Sequence, residues 1–305
     1  MVGDVAMKRF FVRAALLGLT LAGALPAGAA GQAVTLGDDD RRTLETVVQK
    51  ARAADVRPFA TLERVVKDWL VLPPGRRHGA LLSMQLQAMG SAGLAPLIDA
   101  LAIGGGGLDG GLCGGLDPRV RQAVEVALVE ALGNLDDARA RPVLLGAFTE
   151  GRSPAVRAVA ARGMSRTCDD AALGLLLARS SDAAVEGLGR CLRPEAAERL
   201  AALLGETHDE NRAGPIAAAL GRLASDLLWS APPRRDDPAG PRIRLVAARA
   251  LVAASARFDD DEPVRSLAIV RHPDTLALID EAHRAADAAG RSRLDRAKSR
   301  IRLPR

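Results

Sequence analysis

The sequence predicts an all-α chain, an α-solenoid of stacked helix pairs, and three observations carry that reading. A short phrase recurs. Asp117-Pro118-Arg119-Val120-Arg121 returns as Ser153-Pro154-Ala155-Val156-Arg157, more loosely as Gly240-Pro241-Arg242-Ile243-Arg244, and one residue shorter as Glu262-Pro263-Val264-Arg265. Each copy opens a run rich in alanine and leucine, so each reads as the start of a similar helix. The runs then keep one stripe: Val156 is followed by Ala160, Gly163 and Met164, and Ile243 by Ala247, Ala250 and Leu251, both at steps of four, seven and eight. Those steps lie on one helix face, and the small residues on it let neighbouring helices approach closely. Finally, 36 residues separate Val120 from Val156 and 29 separate Val156 from Val185. Such a period with two helices per interval is the mark of a helical repeat array.

Taken in order, the chain divides into five parts. Residues 1–33 have the layout of a secretory signal peptide: Lys8, Arg9 and Arg13, an apolar run over 14–25, then Pro26 and the small residues Ala27-Gly28-Ala29-Ala30, with cleavage expected between Ala29 and Ala33. That run is about half of the roughly 20 residues needed to span a bilayer. The chain is therefore expected to be exported, to the periplasm or beyond. Residues 34–75 read as two capping helices. The first starts in the charged stretch 38–42 and runs to about Ala54. The second covers 61–72, with Leu62, Val65, Val66, Trp69 and Leu70 on one face, and stops at Pro73-Pro74-Gly75.

The repeat array is expected over 77–298. Its first copy lacks the proline but keeps a stripe of Leu81, Gln85, Ala88 and Met89, with Gly90 as the stop. In the later copies Asp or Ser stands at the N-cap, where its side-chain oxygen accepts from a first-turn amide, and proline follows where its missing N–H costs nothing. Second helices are read at Leu94-Ala95-Pro96-Leu97-Ile98-Asp99-Ala100-Leu101, Arg141-Pro142-Val143-Leu144-Leu145 and Thr275-Leu276-Ala277-Leu278-Ile279. Two insertions, 104–116 rich in glycine and 230–241 rich in Pro, Arg and Asp, read as exposed loops. Residues 299–305 form a basic tail.

The phrase Ser153-Pro154-Ala155-Val156-Arg157-Ala158-Val159-Ala160, with Ala95-Pro96-Leu97-Ile98-Asp99-Ala100-Leu101 as its second helix, resembles HEAT-like repeats of the kind also found in phycobilin lyases. The resemblance covers roughly residues 77–298 and is best over 77–102, 117–151 and 153–180. It implies a right-handed solenoid of antiparallel helix pairs whose second helices line a concave, partner-holding face, here exposing Asp99, Arg139, Arg179 and Glu198. The copy near Val185 departs from the pattern, with a short first helix and no proline, and an insertion falls within 205–258. The absence of tyrosine weighs against tetratricopeptide repeats, which pack on aromatic residues.

Charge and cysteine supply the candidate sites. The formal net charge is +5, of which the signal segment carries +2 (Lys8, Arg9 and Arg13 against Asp4). From Arg284 onward eight basic residues face Asp287 and Asp295, a balance of +6, so the rest of the mature chain is about −3. The stretch Arg291, Arg293, Arg296, Lys298, Arg300 and Arg302 is a candidate patch for an anionic partner or envelope surface, or else the polar end cap that a solenoid requires. Nucleic acid is not an expected partner, because no recognition motif accompanies the charge. Cys168 and Cys191 lie just beyond equivalent stripe positions of adjacent repeats. They read either as a disulfide or as two small buried thiols, which leaves Cys113 as the odd thiol.

No reaction is announced. The loop 104–116 lacks the Gly-Lys-Ser or Gly-Lys-Thr ending of a phosphate loop. His78, His208, His272 and His283 show no metal-ligand spacing. Asp259-Asp260-Asp261-Glu262 reads as an acidic lead-in to a helix N-terminus rather than a calcium loop. No cofactor and no catalytic residue is expected. The expected role is an exported, non-catalytic scaffold for an unidentified protein or peptide partner. The alternative, prompted by the resemblance, is an enzyme or enzyme accessory of the lyase type.

Overall fold

The computed structural model describes residues 34–72, 78–104, 112 and 115–302; the expected signal peptide, Cys113 and most of the glycine-rich insertion lie outside them. Every regular element among the described residues is helical, which bears out the all-α class.

Two helices lead, α1 (Asp38–Ala54) and α2 (Arg57–Leu70), and α2 buries Phe59, Leu62, Val66 and Trp69 on one face. It begins four residues earlier than expected because Pro58 falls within its first turn, where a proline is tolerated. Then come α3 (His78–Gln87), a 3₁₀ turn Gly90–Gly93, α4 (Leu94–Ile98) and a π turn Asp99–Ile103. The stripe of α3 is one position off the expected one. Leu82 and Leu86 are buried, while Leu81 is 45% exposed and Met84 65%. The run Ala80-Leu81-Leu82 admits either stripe, and packing against α2 and against α5 (Pro118–Asn134) selects the second.

The repeated phrase behaves as its chemistry requires in its first two copies. The Asp117 side chain accepts from the Arg119 amide at 2.8 Å ahead of α5, and Ser153 Oγ accepts from the Val156 amide at 3.2 Å ahead of α7 (Pro154–Thr167). Between them lies α6 (Arg141–Glu150). Next follow α8 (Asp170–Leu177), the short α9 (Asp182–Leu188), α10 (Pro194–Glu206) and α11 (Glu210–Leu223). The copy near Val185 keeps its cap without the proline, since Ser181 Oγ accepts from the Ala184 amide at 3.3 Å.

Contacts run along two sets of helices. In one, α3 packs on α5, α5 on α7, α7 on α9 and α9 on α11, and α11 packs on α14 (Glu262–Val270). In the other, α8 meets α10, and α10 meets α13 (Ala239–Arg257). The copy at Gly240 therefore does not open a helix of the first set. Instead α13 joins the second set and packs also on α15 (Thr275–Ala285) and α16 (Ala288–Arg302). Ahead of α13 stands α12 (Asp226–Ser230), whose Trp229 is buried and donates from Nε1 to the Leu223 carbonyl at 2.8 Å. Gly240 sits against that indole: a Cβ there would lie 2.7 Å from Trp229 Cε3. The insertion accordingly ends at Pro238, not 241, with Asp237 Oδ1 accepting from the Ala239 amide at 2.9 Å. The expected tail at 299–305 also begins inside α16, which buries Leu294 and Ala297 completely.

From α5 onward, helices of the first set meet through glycine. A Cβ on Gly133 of α5 would lie 2.8 Å from the Gly163 Cα of α7. At the next crossings Gly187 faces Ala161, Gly189 faces Ala219, and Gly221 faces Ser266. Gly133→Ala is expected to destabilise the fold by about 2 kcal/mol, because the new methyl meets backbone. Gly174→Ala, on an open helical position with nothing within 4 Å, is expected to stabilise by a few tenths to about 1 kcal/mol. Urea denaturation of the two variants gives opposite signs if the crossing is built this way.

Candidate functional site

Two concave regions collect polar side chains. The first is a cleft of about 570 Å³ between α1, α2 and the π turn, lined in part by Glu45, Arg52, Phe59, Glu63 and Asp99. Arg52 bridges it. Its guanidinium lies 4.6 Å over the Phe59 ring and donates to Asp99 Oδ2. The Asp99 side chain is only 16% exposed. Burial pushes its carboxyl above the ordinary carboxylate range, with the Arg52 charge acting in the opposite direction.

The second is a groove of about 770 Å³ along α5, α7 and the turn after α9. Arg162, Arg166, Arg190, Arg193 and Arg234 line it, against the carboxylates Glu130 and Asp136. Arg190 Nε lies 3.0 Å from Glu186 Oε1, and Arg222 Nη2 lies 2.8 Å from Oε2 of the same carboxylate; Arg162 reaches it at 4.0 Å and Glu130 at 3.7 Å. Arg193 is held by Asp170 at 3.3 Å and Glu195 at 3.5 Å. Arg166 donates to the neutral amide oxygen of Asn134. Sequence reasoning passed over this cluster. Its one local signal is Arg162 and Arg166 at i and i+4, a like-charge pair that a helix does not favour unaided.

The groove is flanked by the cysteine pair. Cys168 is the C-cap of α7 in the left-handed region (φ 40°), and Cys191 follows α9, fully buried. The structure joins them as a disulfide with Cα atoms 5.5 Å apart, a separation such a bond accepts.

The basic C-terminal stretch is largely paired within the fold. Arg296 Nη2 lies 3.0 Å from Asp259 Oδ1, Arg293 Nη1 lies 3.7 Å from the same atom, Arg300 pairs with Asp261, and Lys298 with Asp280. Arg291 donates to the Ala286 carbonyl at 2.8 Å. The side chain of Arg302 lies outside the described residues. The acidic run 259–261 thus has two jobs: Asp260 Oδ1 accepts from the Glu262 amide at 2.9 Å, while its neighbours hold α16.

The four side chains assigned to a concave face are also engaged. Asp99 pairs with Arg52, Arg139 with Asp137, Glu198 with Arg242, and Arg179 lies 5.3 Å from the Phe148 ring centroid. His272 accepts from the Asp274 amide at 3.2 Å, and burial holds its imidazole below the ordinary histidine value. His283 faces Asp295 at 3.4 Å, and no group of three metal-ligating side chains occurs among the described residues. No single described helix is long and apolar enough to cross a membrane. No protein-family model, curated protein or solved structure matches the chain.

Two measurements follow. Replacing Cys168 and Cys191 together by alanine opens a loop with a sequence separation of 23 and is expected to cost about 3 kcal/mol in urea denaturation. For Asp99, the folded pKa lies above the unfolded value of 3.8, so its favourable contribution is present below that value and lost as pH rises through the folded pKa. The melting temperature of Asp99→Asn relative to wild type is expected to rise from about pH 3 to about pH 7. A flat difference would mean that the Arg52 charge fully offsets burial.

Proposed function

We propose that this chain is an exported, non-catalytic scaffold, a HEAT-like α-solenoid that holds a protein or peptide partner in the periplasm or cell envelope. The observation that carries the reading is the arginine groove. Its lining comes from α5, α7 and the turn after α9, successive members of the first helix set. A surface assembled from several repeats is what an α-solenoid offers to an extended partner. The right-handed stacking of antiparallel pairs belongs to the same proposal and rests on the resemblance of the repeated phrase.

The alternative, an enzyme or enzyme accessory of the lyase type, has the Asp99 cleft in its favour. A carboxyl with a raised pKa in a cleft is a familiar mark of a functional site. Against it stands the described lining of that cleft, which contains neither histidine nor cysteine.

Export is tested by fractionating cells that express the full chain and sequencing the N-terminus of the product. The expected outcome is an envelope-fraction protein beginning between residues 30 and 34. An unprocessed cytoplasmic chain overturns the localisation. The partner is tested by crosslinking the processed protein in its native envelope and identifying the adduct by mass spectrometry. A single saturable protein adduct is expected, and none at any crosslinker length overturns the scaffold reading.

A further inference from the structure

We infer that the arginine groove is the docking site for an acidic, carboxylate-bearing segment of a partner protein, and that the Cys168–Cys191 disulfide holds its two walls together. The inference rests on the scaffold reading and names the chemistry of its partner.

The first argument is charge. Five lining arginines face two lining carboxylates, Glu130 and Asp136. The fold does not make up the difference evenly. Arg193 is held by Asp170 and Glu195, whereas Arg162, Arg190 and Arg222 converge on the single carboxylate of Glu186, and Arg166 has only an amide oxygen in Asn134. The Arg234 guanidinium, on the loop after α12, makes no hydrogen bond or ion pair among the described residues. The strongly basic α16, by contrast, is tied to Asp259, Asp261 and Asp280. A groove where the fold leaves guanidinium groups short of carboxylates offers fork-shaped donors to carboxylates from outside.

The second argument is shape and composition. Gly133 and Gly163, which bring α5 and α7 into contact, also line the groove, and Val159 and Leu192 add apolar surface. Such a lining suits a chain that alternates carboxylates with apolar residues. A continuous phosphate surface fits it poorly. Glu130 and Asp136 repel a dense run of negative charge, and a planar bilayer does not enter a concave groove. A peptide presents its carboxylates one at a time and can leave those two positions opposite an apolar residue.

The third argument is the crosslink. Arg162 and Arg166 precede Cys168 on α7, while Arg190 and Arg193 bracket Cys191 after α9. The bond therefore joins the two arginine-bearing walls, with Cα atoms 5.5 Å apart. Walls held in place before binding spare the partner part of the ordering cost.

The test is fluorescence anisotropy of the processed protein with a labelled peptide that alternates glutamate with leucine and alanine. Saturable, salt-sensitive binding is expected. It should weaken about tenfold in Arg166→Gln/Arg234→Gln, whose side chains hold no carboxylate in the fold. It should be unchanged in Arg249→Gln/Arg284→Gln, which removes the same charge outside the groove lining, and weaker in Cys168→Ala/Cys191→Ala. Circular dichroism checks that each variant folds, and Arg234→Gln alone, on a loop, replaces the double variant if that one does not. The inference is overturned if the wild type does not bind the peptide, if both arginine pairs lose binding equally, or if tripolyphosphate or phosphatidylglycerol vesicles compete better than unlabelled peptide at equal charge. Loss of the cysteine pair without effect on binding overturns the role of the disulfide. The envelope crosslinking keeps the two readings apart: an adduct formed equally by Arg166→Gln/Arg234→Gln leaves the scaffold standing and removes the groove, whereas no adduct from wild type removes the scaffold.

Discussion

The fold depends on the close approach of its first-set helices, which glycine and alanine make possible. At the crossing of α5 and α7 a methyl on either glycine would reach the other backbone, Gly133 on Gly163 at 2.8 Å and Gly163 on Gly133 at 3.0 Å. The same device recurs where Gly187 meets Ala161, Gly189 meets Ala219 and Gly221 meets Ser266. Small contact residues bury little area by themselves. What they provide is backbone proximity, so that the long side chains beside them, among them Leu128, Leu132, Leu176 and Leu188, pack at full density with no exposed surface. A chain with only 2% aromatic residues can build its core this way, because leucine and alanine fill the narrow spaces between closely packed helices.

Close approach also decides where the charges go. With the crossings occupied by glycine and alanine, arginines on the first-set helices emerge at the edges, where several meet. Glu186 is the clearest result, a quarter-exposed carboxylate that serves Arg190 and Arg222 directly and Arg162 at the limit of contact. At the far end the balance differs. The acidic run 259–261 and the basic α16 are separate in sequence but complementary in space, so the most basic stretch of the chain is largely neutralised. The arginine groove lies elsewhere, along α5, α7 and the turn after α9, where a count along the sequence shows no basic run.

Much of the local structure was legible because it is governed by rules acting within a few residues. A Ser or Asp followed by proline starts a helix wherever it occurs, and Asp117 and Ser153 cap as their side chains require. The register of α3 was not legible, since the run Ala80-Leu81-Leu82 is compatible with two stripes and only the neighbours α2 and α5 choose Leu82 and Leu86. The copy at Gly240 misled for a related reason. Its phrase correctly announces a helix, yet the preceding Trp229 occupies the space against Gly240, and α13 settles on α10 instead of joining the first set.

By itself, the sequence determined the all-helical class, the places where most helices begin and the pair of cysteines able to meet, because capping, helical periodicity and repeat spacing are written in short stretches of chain. Only the tertiary structure decided which cations are spent inside the fold. Arg296 and Asp259 lie 37 residues apart, and Arg222 and Glu186 lie 36 apart, so pairing at that range depends on how helices stack and not on any local pattern. The arginine groove exists for the same reason: its members come from α7, the turn after α9 and the loop after α12, and only packing makes them neighbours.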